Sequence, residues 1–185
     1  MPARLPAPSR PVSGWLLALC AAWGLLAMAL LPLVLPAGPA EALRGAFHLL
    51  CHQLPERSLA SGGRVAALCH RCTGLVLGLG LGLLGYPLAR RPSLSGSRRR
   101  ARLLGALALA PLVVDWALGA AGLWTNTPLS RVLTGALFGA YAGLVLAEAL
   151  GRTRAEAHAE AHAGYEGAPE DDAVVLRVTK ARLVP

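Results

Sequence analysis

Cys69-His70-Arg71-Cys72-Thr73-Gly74 places a Cys-x-x-Cys pair directly ahead of an apolar, glycine-spaced stretch, Leu75 to Leu84. A short distance upstream stands His48-Leu49-Leu50-Cys51-His52-Gln53, so three of the four cysteines and three of the five histidines fall between positions 48 and 72. Thiolate and imidazole suit tetrahedral zinc, and Cys-x2-Cys is a common spacing for two of its sulfur ligands. Cys51, His52, Cys69 and Cys72 are therefore the candidate metal ligands, with His48 and His70 as the other imidazoles within reach. A second Cys-x2-Cys pair is missing, and two further readings stay open. In the first, the pair does thiol redox chemistry: a helix N-terminus, Arg71 and His70 favour a thiolate, and Cys51 exchanges with the pair. Asp115 would then relay protons and a quinone would accept electrons, as in disulfide-forming membrane enzymes of similar layout. In the second, the protein is a transport or scaffold component in which Cys51 forms a structural disulfide with Cys69 or Cys72, which leaves an odd cysteine. Whether the protein is an enzyme stays open.

The elements that position these residues are those of a membrane protein. Hydrophobic residues make up 55% of the 185 and charged ones only 15%, so an ordinary soluble domain is excluded. The net charge of +8 does not indicate nucleic acid, because the arginines cluster beside apolar runs and no basic stripe is interleaved with aromatics. The pattern predicts an all-α polytopic fold with four transmembrane helices at about 14–35, 65–88, 103–124 and 132–150, each near the ~20 residues that cross a bilayer. A short amphipathic helix, Glu41 to His52, is expected to lie in the interface and to put His48, Cys51 and His52 on one face. Pro32, Pro36 and Pro39 end the first span, and Leu54 to Gly63 reads as a polar connection with a Gly62-Gly63 turn. Cys20, inside the first span, reads as a small buried hydrophobe. The basic leader and Ala40-Glu41-Ala42 also have the form of a signal peptide, although the apolar run is long for one.

Arginine placement sets the orientation. Thirteen basic residues fall in the leader 1–13, the loop Arg90 to Arg102 and the tail 151–185; five (Arg44, Arg57, Arg64, Arg71, Arg131) fall on the other side. Both termini are then cytoplasmic, in a cell (inner) membrane, and the Cys/His loop 40–72 faces outward, where thiols are oxidised or held by metal. The partly disordered tail carries His158 and His162 beside Glu156 and Glu160, which read as a solvated helix. Asp115 is costly within a span unless it is paired, and Arg71 and Arg131 are its natural partners. Thr73-Gly74-x3-Gly78-x3-Gly82 is echoed by Thr134-Gly135-x3-Gly139-x3-Gly143, and such glycine faces let helices approach closely. The lipid bilayer is the expected partner, with self-association allowed.

Cys51-His52-Gln53 with Pro55, Arg57 and Ser58, then Cys69-x-Arg71-Cys72-x-Gly74, then Pro111, Asp115, Arg131 and Thr134-Gly135 together resemble an uncharacterised bacterial membrane-protein family, domain of unknown function 2085. The resemblance covers roughly positions 45 to 145. It departs from the family at Leu75 and Val76, where an aromatic is usual, and in the distance from Asn126 to Arg131. It implies that these residues form one site and implies no particular activity.

Overall fold

The computed structural model describes residues 14–87 and 97–166, the last fifteen as helical backbone alone. The leader, most of the arginine loop, the end of the tail and the His158 and His162 side chains lie outside the described residues. The chain divides into two units, 1–148 and 149–185, the second described as a continuation of the last helix to Glu166.

Helix α1, Gly14–Leu30, carries no charge and runs into a single 3-10 turn, Leu31–Leu33. Helix α2 is Ala37–Phe47. It starts before Glu41 because Pro39 falls in its first turn, where a missing N–H costs no hydrogen bond. It also ends before His48, so the expected face of His48, Cys51 and His52 does not form: both histidines are exposed and Cys51 is buried.

Strands β1, Ser58–Ser61, and β2, Arg64–Cys69, form an antiparallel hairpin with a bulge between Ser58 and Ala60. This corrects two expectations. The fold is mostly helical rather than all-α, and the segment 65–88 is not one helix. Gly62 and Gly63 both hold positive φ (57° and 76°), the primed turn whose twist suits paired strands. The pairing therefore captures Val65 to Leu68 as strand, with Ala66, Ala67 and Leu68 buried. Helix α3 then covers His70–Gly85, 16 residues. At ~1.5 Å per residue that is ~24 Å, shorter than a bilayer core of ~30 Å.

Helix α4 is Arg98–Ala120. Its end comes four residues earlier than expected because Gly122, at φ 69°, closes it: the Gly122 N–H donates to the Gly119 carbonyl and the Leu123 N–H to that of Leu118. Helix α5, Pro128–Glu166, begins earlier than Val132. Pro128 opens it, and the Thr127 hydroxyl oxygen caps it by accepting the Ser130 N–H at 3.1 Å. Among the described residues three helices are long and apolar enough to cross a membrane: Gly14–Leu33, Arg99–Ala120 and Pro128–Gly151.

The helices alternate in direction. The indole N–H of Trp15, early in α1, donates to the Leu83 carbonyl near the end of α3, while Ala29 at the other end of α1 meets Ala67 and Leu68 just ahead of it. Helices α3 and α5 run parallel with backbones in contact. A Cβ on Gly74, Gly78 or Gly82 would collide with the main chain of Val132, Ala136 or Ala140; one on Gly135, Gly139 or Gly143 would collide with that of Arg71, Leu75 or Leu79. Close approach along both glycine rows trades side-chain volume for dispersion contacts between main chains. Helix α4 is antiparallel to α5. The Tyr141 hydroxyl donates to the Ala101 carbonyl at 2.6 Å and its ring rests on Gly105, while Asp115 lies by the start of α5. Leu103, Leu107, Val113, Val114 and Trp116 of α4 stay exposed, an apolar surface suited to lipid.

Candidate functional site

The starts of α3 and α5 and the ends of α1 and α4 lie at one end of this bundle, beneath the hairpin and α2. Three cysteines meet there. Cys51 closes the turn after α2, its N–H donating to the Phe47 carbonyl, and is buried with Phe47, Ala29, Ala67 and Leu68. Burying a side chain such as Phe47 contributes ~1.5–3 kcal/mol, which anchors the turn. Two residues on, Gln53 takes φ 52°, a left-handed conformation uncommon outside glycine. It is held there by burial and by its carboxamide N–H donating to the Arg44 carbonyl at 2.6 Å. Cys69 ends β2 and caps α3, and Cys72 follows in the first turn of that helix.

The sulfurs of Cys51, Cys69 and Cys72 lie within 4.8 Å of one another. Three thiolates on one zinc, each at ~2.3 Å in tetrahedral directions, stand ~3.8 Å apart, so a small inward movement makes a tripod. All three are free thiols, and the Cys69 N–H donates to the Cys51 sulfur at 3.3 Å. The Cys69 pKa falls to about 5. The Cys72 thiol donating to it is the main cause; burial opposes, and the Cys72 amide, the Cys51 thiol and the Arg71 amide add to the fall. Amides at a helix N-terminus point their donors outward and favour a charged sulfur.

The histidines are not gathered with the sulfurs. His52 is exposed but lines the same cavity, a space of about 380 Å³ bordered by the three cysteines, Arg57, Arg71 and Arg131. His48 is exposed and does not line it. His70 is buried, with Nδ1 lacking a hydrogen-bond partner. Cys20 is exposed on α1, away from the cluster, not buried.

Next to the sulfurs, Asp115 joins three elements. Its Oδ2 accepts from Arg71 Nη2 at 2.5 Å and its Oδ1 from the Ser130 hydroxyl at 2.9 Å. Its own backbone carbonyl accepts from the Asn126 carboxamide, and Gly119 leaves the room that Asn126 needs. The end of α4 is thereby tied to the first turns of α3 and α5. Ser130 is not among the residues singled out in sequence, and Asn126 enters there only through its distance from Arg131. Both stand between the expected spans 103–124 and 132–150, where such residues usually serve the turn itself.

Residues 51–145 match a family described as "Predicted membrane protein (DUF2085)". A protein of Methanocaldococcus jannaschii, "Uncharacterized protein MJ1492", is 31% identical over 97 residues, 52% of this chain and 61% of that one. The chain thus spans about three fifths of the length of this curated relative. This relative is archaeal, so the similarity does not single out a bacterial group. No solved structure matches the chain.

Proposed function

The chain belongs to this family of predicted membrane proteins (DUF2085), and on that premise we propose that it holds a zinc ion in the Cys51–Cys69–Cys72 tripod, on the outer side of a cell membrane. The observation that carries the reading is the convergence of three thiols within 4.8 Å, Cys51 meeting the Cys69–Cys72 pair from 18 residues upstream. His52, already lining the cavity, is the natural fourth ligand after a rotation of its exposed side chain; otherwise a water or substrate atom fills that position. Arg71 and Asp115 act behind the sulfurs, fixing the first turn of α3 on which Cys72 stands. In this reading the bundle crosses the bilayer four times, α3 crossing in the company of α1 and α5. The leader and tail are cytoplasmic and α2 lies in the interface. Arg99 to Arg102, at the opposite end of the bundle from the cysteines, support that orientation. The protein needs lipid and no nucleic acid, and it allows self-association.

The acidic Cys69 thiol favours a second reading, thiol–disulfide exchange. There Cys69 and Cys72 would lose two electrons and two protons to a quinone, giving a disulfide and a quinol, with Cys51 exchanging with the pair and Asp115 passing the protons. Metal content per chain, measured after purification in mild detergent without chelator, separates the readings. About one zinc per chain, lost in a Cys69→Ser, Cys72→Ser double variant, supports the tripod. Absence of metal together with quinone-driven thiol–disulfide conversion would move the assignment to redox exchange. Absence of metal with a permanent disulfide would reduce the cysteines to a staple.

A further inference from the structure

The cavity beside the sulfurs is strongly cationic. Arg57 comes from the turn before the hairpin, Arg71 from the first turn of α3 and Arg131 from the first turn of α5, and all three line it. Against these three guanidinium groups stand one carboxylate, Asp115, already engaged by Arg71 and Ser130, and the acidic Cys69 sulfur, so positive charge remains in excess. Among the described residues neither Arg57 nor Arg131 has a carboxylate within ion-pair distance. The Nε atoms of Arg71 and Arg131 are buried without a hydrogen-bond partner. Collecting like charges in a partly enclosed space is unfavourable unless something of opposite sign completes it, and a buried donor left unpaired adds its own desolvation cost. Both parallel helices, α3 and α5, also begin at this cavity, so their positive ends add to the field.

We propose that this cavity binds a small oxyanion, a carboxylate or phosphate group, held by the guanidinium forks of Arg131 and Arg57 next to the three cysteines. Guanidinium is planar and offers paired donors at the spacing of two oxygens on one carbon or phosphorus, which an ammonium does not. Arg71 is largely committed to Asp115 and serves as the wall between the anion and α4. The apolar share of the lining, Leu50 and Leu54, lowers the local dielectric and strengthens the charge pairing. At about 380 Å³ the cavity has room for such a group and a short organic body attached to it. The anion site shares its cavity with the zinc reading but does not depend on it. A free small anion and the headgroup of an anionic lipid present the same chemistry.

The test is thermal unfolding of the full chain with inorganic phosphate, against chloride at equal ionic strength. A parallel series uses nanodiscs of phosphatidylglycerol or of phosphatidylcholine. Wild type is compared with Arg131→Gln, Arg57→Gln and an Arg99→Gln, Arg100→Gln control at the far end of the bundle. Phosphate stabilising wild type and control, with affinity about tenfold or more weaker in Arg131→Gln, supports a free anion. Stabilisation by phosphatidylglycerol alone, lost in the same variant, supports a headgroup in the same place. Absence of stabilisation by either probe overturns the proposal, as does stabilisation undiminished in both cavity variants. If Arg131→Gln fails to fold, the exposed Arg57→Gln decides alone. Metal content measured on the same samples keeps the two ideas apart: a metal-free protein that responds to phosphate sinks only the zinc reading. A zinc-loaded protein without any response to either probe sinks only this one.

Discussion

Helices α3 and α5 meet twice, in two different ways. Along the shaft, Gly74, Gly78 and Gly82 face Val132, Ala136 and Ala140 main chain to main chain, with no polar side chain between them. At the head, one turn higher, the same two helices present Arg71, Cys72, Ser130 and Arg131, and contact passes through charges and hydrogen bonds. The shaft has almost no slack, because each glycine would place an added methyl group on a neighbour's backbone. The head has slack in its long arginines and rotatable thiols. The contrast shows a division of labour. A rigid seam fixes the relative height of two helix starts, so that flexible side chains above it can be placed within hydrogen-bond reach of their partners.

The seam is the place to break this arrangement most completely. Gly78→Val puts a branched side chain where even a Cβ meets Ala136, and overpacking of this kind costs ~1–3 kcal/mol or more. Loss of a monodisperse folded fraction in detergent is expected, and with it loss of the site, whereas Gly85→Ala, which meets nothing within 4 Å, stays folded. Normal yield and melting for Gly78→Val would refute the seam. At the head, Asp115→Asn leaves the Arg71 guanidinium partly buried without its counter-charge, at a cost of ~3–5 kcal/mol if the site stays closed to water. The melting temperature should drop while an Arg71→Met, Asp115→Leu double variant recovers part of the loss; no recovery would mean the pair does more than hold position.

A gentler probe reads Cys69 itself. An acid whose folded pKa is depressed contributes stability that is present above its unfolded pKa and is lost as pH falls through the folded value. For Cys69 that window runs from the ordinary thiol range of ~8.5 down to about 5. In metal-stripped, reduced protein, iodoacetamide should modify Cys69 with a pH midpoint well below the ordinary thiol range of ~8.5. A midpoint in that ordinary range would remove the case for an activated thiol. The smallest effect is expected far from the head. Trp15→Phe removes the donor to the Leu83 carbonyl and should cost ~0.5–1.5 kcal/mol in a denaturant melt, with zinc content unchanged.

Much of this was legible from residue types. The Cys51 and Cys69–Cys72 motifs marked the place where three thiols come together, and low charge with long apolar runs marked a membrane protein. The hairpin was not read, although Gly62-Gly63 between Ser61 and Arg64 is a two-residue turn signal. Val65 to Leu68 is apolar enough to pass for the start of a span, and strand or helix cannot be told from so short a run. The failure at His48 and His52 has the same origin: three- and four-residue spacing places side chains together only while the helix lasts, and α2 stops at Phe47. Asn126 and Ser130 could not have been assigned, because their contact with Asp115, 11 and 15 residues earlier, depends on where α4 stops and α5 starts, and both bounds differ from the expected 124 and 132.

The glycine face of α3 also sets an order of events during synthesis. At ~5–20 residues per second, and about 60 residues ahead of the matching part of α5, α3 waits a few seconds before its partner exists. During that interval a short helix with a row of bare backbone has only α1 to lean on, through Trp15, Trp23 and their neighbours. Assembly of the site therefore waits on α5: the cysteines cannot be held in register until α5 has been made and has closed against α3.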